Sequence, residues 1–147
     1  RQIGRTANKF GRVVHRFSVS SEDGLISVLN QDLSGSDILM AIPDPQIYNR
    51  NTARAVLLAT FNQHIPLFAY SRSFVRAGAV LGIYSTPGQI AHDVADLLKR
   101  PAGSKQSQFL YPKYFTIDIN HRAADALNID IPDAGYLTQR LELHEEH

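Results

Sequence analysis

Three short apolar runs each stop at residues able to hydrogen-bond or ionise. Asp44 stands between Pro43 and Pro45 after the run Ile38–Ile42. Tyr70 and Ser71 follow Leu67–Ala69, and Tyr84 and Ser85 follow Val80–Ile83. Tyr48 and Asn49 open the helical pattern after Pro45. A carboxylate accepts hydrogen bonds from an ammonium or a hydroxyl. A phenol stacks on a flat group or donates its proton, and a serine hydroxyl both donates and accepts. This set can hold and orient a small polar molecule. Each member also has a plain structural role. Asp44 can close a turn, Asn49, Ser71 and Ser85 can cap helices, and the tyrosines can sit at a core rim with their hydroxyls in water.

Bond-breaking chemistry finds no support in the residue pattern. There is no Gly-x-Ser-x-Gly elbow and no glycine-rich phosphate loop, and Gly78 and Gly82 are isolated. Serine, histidine and aspartate are plentiful, but no local arrangement selects a nucleophile with its base. The chain has no cysteine, which removes thiolate catalysis, disulfides and Cys-type zinc sites together. Its six histidines form neither His-x-x-x-His nor His-Glu-x-x-His, and His144 and His147 lie in a charged tail. The expectation is a protein without catalytic residues, metal or cofactor.

The elements that must position the polar residues follow from periodicity. Ile3, Ala7 and Phe10 are spaced for a helix that Gly11 stops. Residues 12–20 alternate through Val13, His15, Phe17 and Val19, which predicts an edge strand. Ser20 or Ser21 caps a helix with Glu22 and Asp23 in its first turn, and Leu25, Ile26, Val28, Leu29 and Leu33 form its apolar face. Ile38–Ile42 contains no polar residue, as a central parallel strand covered on both faces requires. Asn49 or Asn51 caps the next helix, which ends at His64-Ile65-Pro66. Leu67–Tyr70 and Val80–Tyr84 are further buried strands, with one helical turn and Gly78 between them. Thr86, Pro87 and Gln89 make a capping box for a helix over Pro87–Arg100. A polar loop spans 102–107, a strand is predicted over Tyr114–Ile119 and a short helix from Asn120 to Leu127. The end, Glu142–His147, is charged and expected to fray. Alternation of this kind predicts a three-layer α/β/α sandwich with a mostly parallel sheet, and ligands bind such sheets at the carboxyl ends of the strands.

The 147 residues are one domain's worth of chain, with 44% hydrophobic and 20% charged residues. The formal net charge of +1 and the lack of a basic run give no reason to expect a nucleic-acid partner. No apolar run is long enough to span a bilayer. The sequence begins at Arg1 without an initiator Met or a signal-peptide pattern, so further residues are expected upstream.

Three passages resemble the periplasmic substrate-binding proteins of ABC transporters, in the type I fold group and its tryptophan-type and uncharacterised subgroup. They are Asp37-Ile-Leu-Met-Ala-Ile-Pro-Asp-Pro, then Ile65-Pro-Leu-Phe-Ala-Tyr-Ser with Val75-Arg-Ala-Gly-Ala, then Ile117-Asp-Ile-Asn-His-Arg-Ala-Ala-Asp-Ala-Leu-Asn-Ile-Asp-Ile-Pro. The similarity runs over most of residues 1–135. It implies that residues 1–147 are one lobe, the carboxy-terminal one, of a two-lobed protein that closes over a small solute such as an amino acid without altering it. Asp44, Tyr48, Tyr70, Ser71, Tyr84 and Ser85 would then be the ligand-binding candidates. ABC permease subunits would be partners, and the location would be periplasmic or extracytoplasmic. The chain would cross to the other lobe near Ser85, so the 87–101 helix would pack on that lobe or on a second subunit, as a homodimer. A flavodoxin-like signalling or sensor domain without a transport role is the alternative.

Overall fold

A computed structural model describes residues 2–45, 47–99 and 112–145. In chain order the elements are α1 (Gln2–Lys9), α2 (Glu22–Gln31), β1 (Leu39–Met40), α3 (Arg50–Asn62), β2 (Leu67–Ala69), α4 (Arg72–Ala77), β3 (Leu81–Tyr84), α5 (Pro87–Leu98), β4 (Thr116–Ile119), α6 (His121–Ala126) and α7 (Ala134–Glu145). The four strands form one sheet in the order β1-β2-β3-β4. β1, β2 and β3 run parallel, and β4 returns antiparallel to β3. This is the mostly parallel α/β sheet that the alternation predicts.

Local side-chain chemistry starts the helices. Ser21 accepts from the Gly24 N–H to open α2, and Ser71 accepts from the Phe74 N–H to open α4. Asn49 and Thr52 form a reciprocal capping box at α3, as do Thr86 and Gln89 at α5. Asn120 caps α6 through the Ala123 N–H. Each bond satisfies a donor that the first helical turn would otherwise leave open.

The pleat of β2 divides the core. Leu67 and Ala69 point into a cluster with Leu25, Leu29, Leu33, Val56 and Phe74, which places α2, α3 and α4 on that face. Phe68 points the other way, onto Val80, Ala123, Ala124, Leu127 and Ile131, under α6. The β2–β3 centre is therefore covered on both faces, as a parallel sheet needs.

Two expectations change. Residues 12–20 join no ladder, and Val13 is 77% exposed. Alternation alone does not make a strand where no neighbour supplies hydrogen bonds. The run Ile38–Ile42 is not a central strand. Among the described residues β1 pairs only with β2, and Ile38, Met40 and Ile42 are exposed on the face away from the core. At the carboxyl end, α7 runs from Ala134 to Glu145. The loop expected over 102–107 and the end of the 87–101 helix lie outside the described residues.

Candidate functional site

Parallel pairing puts the ends of β1, β2 and β3 along one edge. The registers are Leu39 with Leu67, and Phe68 with Leu81. Counted on from these pairs, Pro43, Ser71 and Tyr84 fall level across the sheet. Strand spacing makes the span from β1 to β3 about 10 Å. The candidates thus share a rim, as the sequence predicts.

The β1–β2 end of this rim is aromatic with one carboxylate. The Asp44 carbonyl accepts from the Ile47 N–H at 3.2 Å and the Tyr48 N–H at 2.7 Å, a turn that carries the chain from β1 to α3. The Asn49–Thr52 box, with the Thr52 hydroxyl donating to the Ile47 carbonyl, then fixes the start of α3 beside Tyr48. The Tyr48 ring meets Tyr70 at 5.9 Å and Phe74 at 5.7 Å, both edge to face, and Tyr70 meets Phe74 at 5.4 Å. Edge-to-face contacts suit the aromatic quadrupole and hold the three rings as a unit. Burial pushes the Tyr48 phenol above its ordinary range, with Tyr70 and the Asp44 charge adding to the shift. The Tyr70 phenol is raised by burial first and then by Asp44. Both phenols therefore stay protonated at neutral pH and can donate.

The β3–β4 end is polar. The Tyr84 hydroxyl donates to Asp118 Oδ2 at 3.2 Å, and Arg72 Nε lies 3.8 Å from the same oxygen. Burial, and then the Asp118 bond, raises the Tyr84 phenol. Ser71 lies between the two ends, with its hydroxyl accepting from the Phe74 N–H at 3.4 Å. Ser85 donates to the Tyr114 carbonyl at 2.8 Å and so ties β3's exit to β4's entry. The structure thus gathers Asp44, Tyr48 and Tyr70 at one end and sets Tyr84 at the other. It gives Ser71 and Ser85 structural hydrogen bonds.

Phe74, Arg72 and Asp118 belong to this rim and escape a reading of the sequence. Phe74 reads as core, although it lies one helical turn past Tyr70 and shares a ring contact with it. Asp118 is the one carboxylate in the strand Thr-Ile-Asp-Ile, but its partner is set by the antiparallel register, which no local pattern reveals. Among the described residues no group of three His, Cys, Asp or Glu could hold a metal ion.

The rim is a single wall. A depression of about 650 Å³ lies at the opposite edge of the sheet and is lined by Ser34, Asp37, His64, Pro66, Phe68 and Ile129 among others. It is open to solvent and holds none of the candidate residues.

No protein-family model matches the chain, and no curated protein sequence matches it. Solved structures do match. An ABC domain from Streptococcus pneumoniae, in complex with L-Trp, is 20% identical with a TM-score of 0.66, over 90% of this chain and 45% of that one. A conserved domain protein from Vibrio cholerae O1 biovar El Tor is 22% identical, also with a TM-score of 0.66 and the same coverage. A substrate-binding protein with adhesive properties from Clostridium difficile, in a ligand-free, open structure, is 17% identical with a TM-score of 0.61, over 89% of this chain and 45% of that one. The chain has the fold found in substrate-binding proteins and spans a little under half the length of each match.

Proposed function

We propose that this chain is one lobe, the carboxy-terminal one, of a non-catalytic solute-binding module. The rim of Asp44, Tyr48, Tyr70 and Phe74 is one wall of its binding cleft. The observation that carries this reading is the joint presence, at the carboxyl edge of the sheet, of a carboxylate and three rings in mutual contact. A carboxylate suits an ammonium group, and ring edges and faces suit a flat apolar body. The solute class is therefore an amino acid with a sizeable side chain. That one similar structure holds L-Trp supports the same class. Closure of a second wall by hinge motion would exclude water and let few hydrogen bonds fix the ligand. In the same reading the module serves an ABC importer, meets permease subunits and works outside the cytoplasm.

A panel of amino acids at millimolar concentration tests this. A ligand that binds only the folded state raises the melting temperature. Aromatic amino acids should raise it by a few degrees while glycine and alanine leave it unchanged. No shift with any member of the panel, on a protein that also carries the second wall, sinks the reading in favour of a ligand-free signalling domain.

The helix α5 fits a second wall. Its polar side is turned inward: Asp93 accepts from the Lys113 N–H, Asp96 from the Tyr114 hydroxyl, and Gln89 from the Thr116 hydroxyl. Its apolar stripe of Ile90, Val94 and Leu98 faces solvent, with Leu98 81% exposed. An amphipathic helix with its apolar side outward needs a cover. We assign that cover to a second lobe or, for residues 1–147 alone, to a second copy. Light scattering on the 147-residue chain should then give a dimer that Val94→Asp converts to monomer. A monomeric parent chain overturns the assignment to a second copy.

A further inference from the structure

A basic depression of about 290 Å³ lies between α4 and the junction of β4 with α6. Arg72 and Arg76 line it from α4, and His121 and Arg122 line it from the first turn of α6. Asp118 is the one acid among its lining residues. Arg72 and Arg76 are four residues apart, so they stand one above the other on one side of α4. The whole chain carries 15 basic and 14 acidic residues. The excess of cations here is therefore local and does not follow from composition.

Hydrogen bonds hold the two basic pairs in one frame. The Asn120 N–H donates to the Val80 carbonyl at 3.0 Å, where β4 ends. The Asn120 side-chain amide donates to the Val75 carbonyl at 2.8 Å, and its Oδ1 accepts from the Ala123 N–H at 3.1 Å. One side chain thus ties α4 to the first turn of α6. Val75, between Arg72 and Arg76 in sequence, is buried and anchors α4 on the sheet. Asp118 is already engaged, since its Oδ2 accepts from the Tyr84 hydroxyl at 3.2 Å and lies 3.8 Å from Arg72 Nε. Arg76, Arg122 and His121 join no ion pair among the described residues.

We propose that this groove docks an acidic segment of a partner protein, whose carboxylates are taken by Arg76 and Arg122 beside Arg72. The guanidinium fork matches a carboxylate with two parallel hydrogen bonds. Alternate side chains of an extended segment are about 7 Å apart. That is close to the spacing of about 5–6 Å between residues one helical turn apart, so such a segment can answer Arg72 and Arg76 together. Exposure decides between a segment and a free small anion. The Arg72 side chain is 66% exposed, and Arg76 and Arg122 are exposed as well. An anion alone would leave these charges in water, where ion pairs are worth little. A segment that covers the groove excludes that water and makes several contacts at once. The lining residues include no aromatic platform for a base, which argues against nucleic acid. This inference does not depend on what Asp44 and the three rings bind.

The test titrates the 147-residue chain into a fluorescein-labelled peptide of twelve residues, alternating glutamate and threonine, and follows the anisotropy. The peptide should bind. Its counterpart with glutamine for glutamate should bind at least about tenfold more weakly, because hydrogen bonds to charged groups are lost. That comparison needs no protein variant. Arg76→Gln with Arg122→Gln should also weaken the glutamate peptide by at least about tenfold. Arg12→Gln with Arg54→Gln removes the same charge at residues that do not line the groove, and should weaken it by no more than about twofold. All four arginines are exposed, so both double variants keep the fold. Four results would each overturn the proposal. They are no binding of the glutamate peptide, equal binding of the glutamine peptide, equal weakening in the two double variants, and displacement by inorganic phosphate well beyond that by chloride at the same ionic strength. The last would give the groove to a free anion.

Discussion

Replacing Gly82 by alanine will lower the melting temperature by several degrees, and that loss will be less than additive with the loss from Val75→Ala. A Cβ at Gly82 would lie 2.5 Å from Val75 Cγ2, well inside contact distance, while the Ser71 and Ala69 carbonyl oxygens stand at an acceptable 3.5 and 3.7 Å. The collision is therefore with one methyl group of α4, which packs here against β3. Relief requires α4 to move or Val75 to leave its rotamer, and overpacking of this kind costs about 1–3 kcal/mol. In a chain of this size that is about 2–4 °C per kcal/mol. Val75→Ala alone removes two buried methyl groups and costs about 2 kcal/mol. The double variant will nevertheless be more stable than the sum of the two losses, by a coupling of about 0.5–3 kcal/mol. Strict additivity in urea titrations would show that Val75 is not what confines Gly82. Gly82→Val sets further methyl groups against the two carbonyls and will leave little folded protein, given total stabilities of about 5–15 kcal/mol. Because α4 also carries Phe74, the alanine variant should bind ligand more weakly as well.

What the sequence makes legible divides along the line between local and distant partners. The caps Ser21, Asn49, Ser71, Thr86 and Asn120 are legible because each bonds a backbone N–H no more than three residues away. The parallel order of β1, β2 and β3 is legible because three apolar runs are separated by helical patterns long enough for crossovers. The edge position of β1 is not, since Ile38–Ile42 reads the same whether a neighbour covers it or not. Residues 12–20 fail for the same reason: their alternation fits a strand, but the pairing partner is not in the pattern. In the rim, Asp44, Tyr48 and Tyr70 are legible as residues that follow strand ends. Their contact with Phe74 depends on how α4 docks, and the bond from Tyr84 to Asp118 crosses 34 residues of sequence.

Asp44→Asn will reduce affinity for the best-binding amino acid by about 10- to 150-fold. The main chain and the carboxylate of Asp44 have separate roles. Its main-chain carbonyl accepts from Ile47 and Tyr48 and builds the turn, and asparagine keeps that carbonyl. Its carboxylate supplies the charge, and losing a hydrogen bond to a charged group costs about 1.5–3 kcal/mol. At about 1.4 kcal/mol per decade this gives the stated range. Tyr70 divides the remaining recognition. Tyr70→Phe keeps the ring contacts with Tyr48 and Phe74 and should lose only what the hydroxyl contributes, severalfold at most. Tyr70→Ala removes the ring from the three-ring unit and should cost tenfold or more, since an aromatic pair is worth about 0.5–1.5 kcal/mol beyond the area it buries. Tyr84→Phe breaks the bond to Asp118 at the other end of the rim. An affinity lost there as well would extend the ligand across all three strand ends, whereas an unchanged one would confine it to β1 and β2. Calorimetric titration of the four variants distinguishes these cases. If Asp44→Asn binds as tightly as the parent, the carboxylate faces no ammonium, and the rim is a folding device of turn and rings whose ligand must be sought elsewhere.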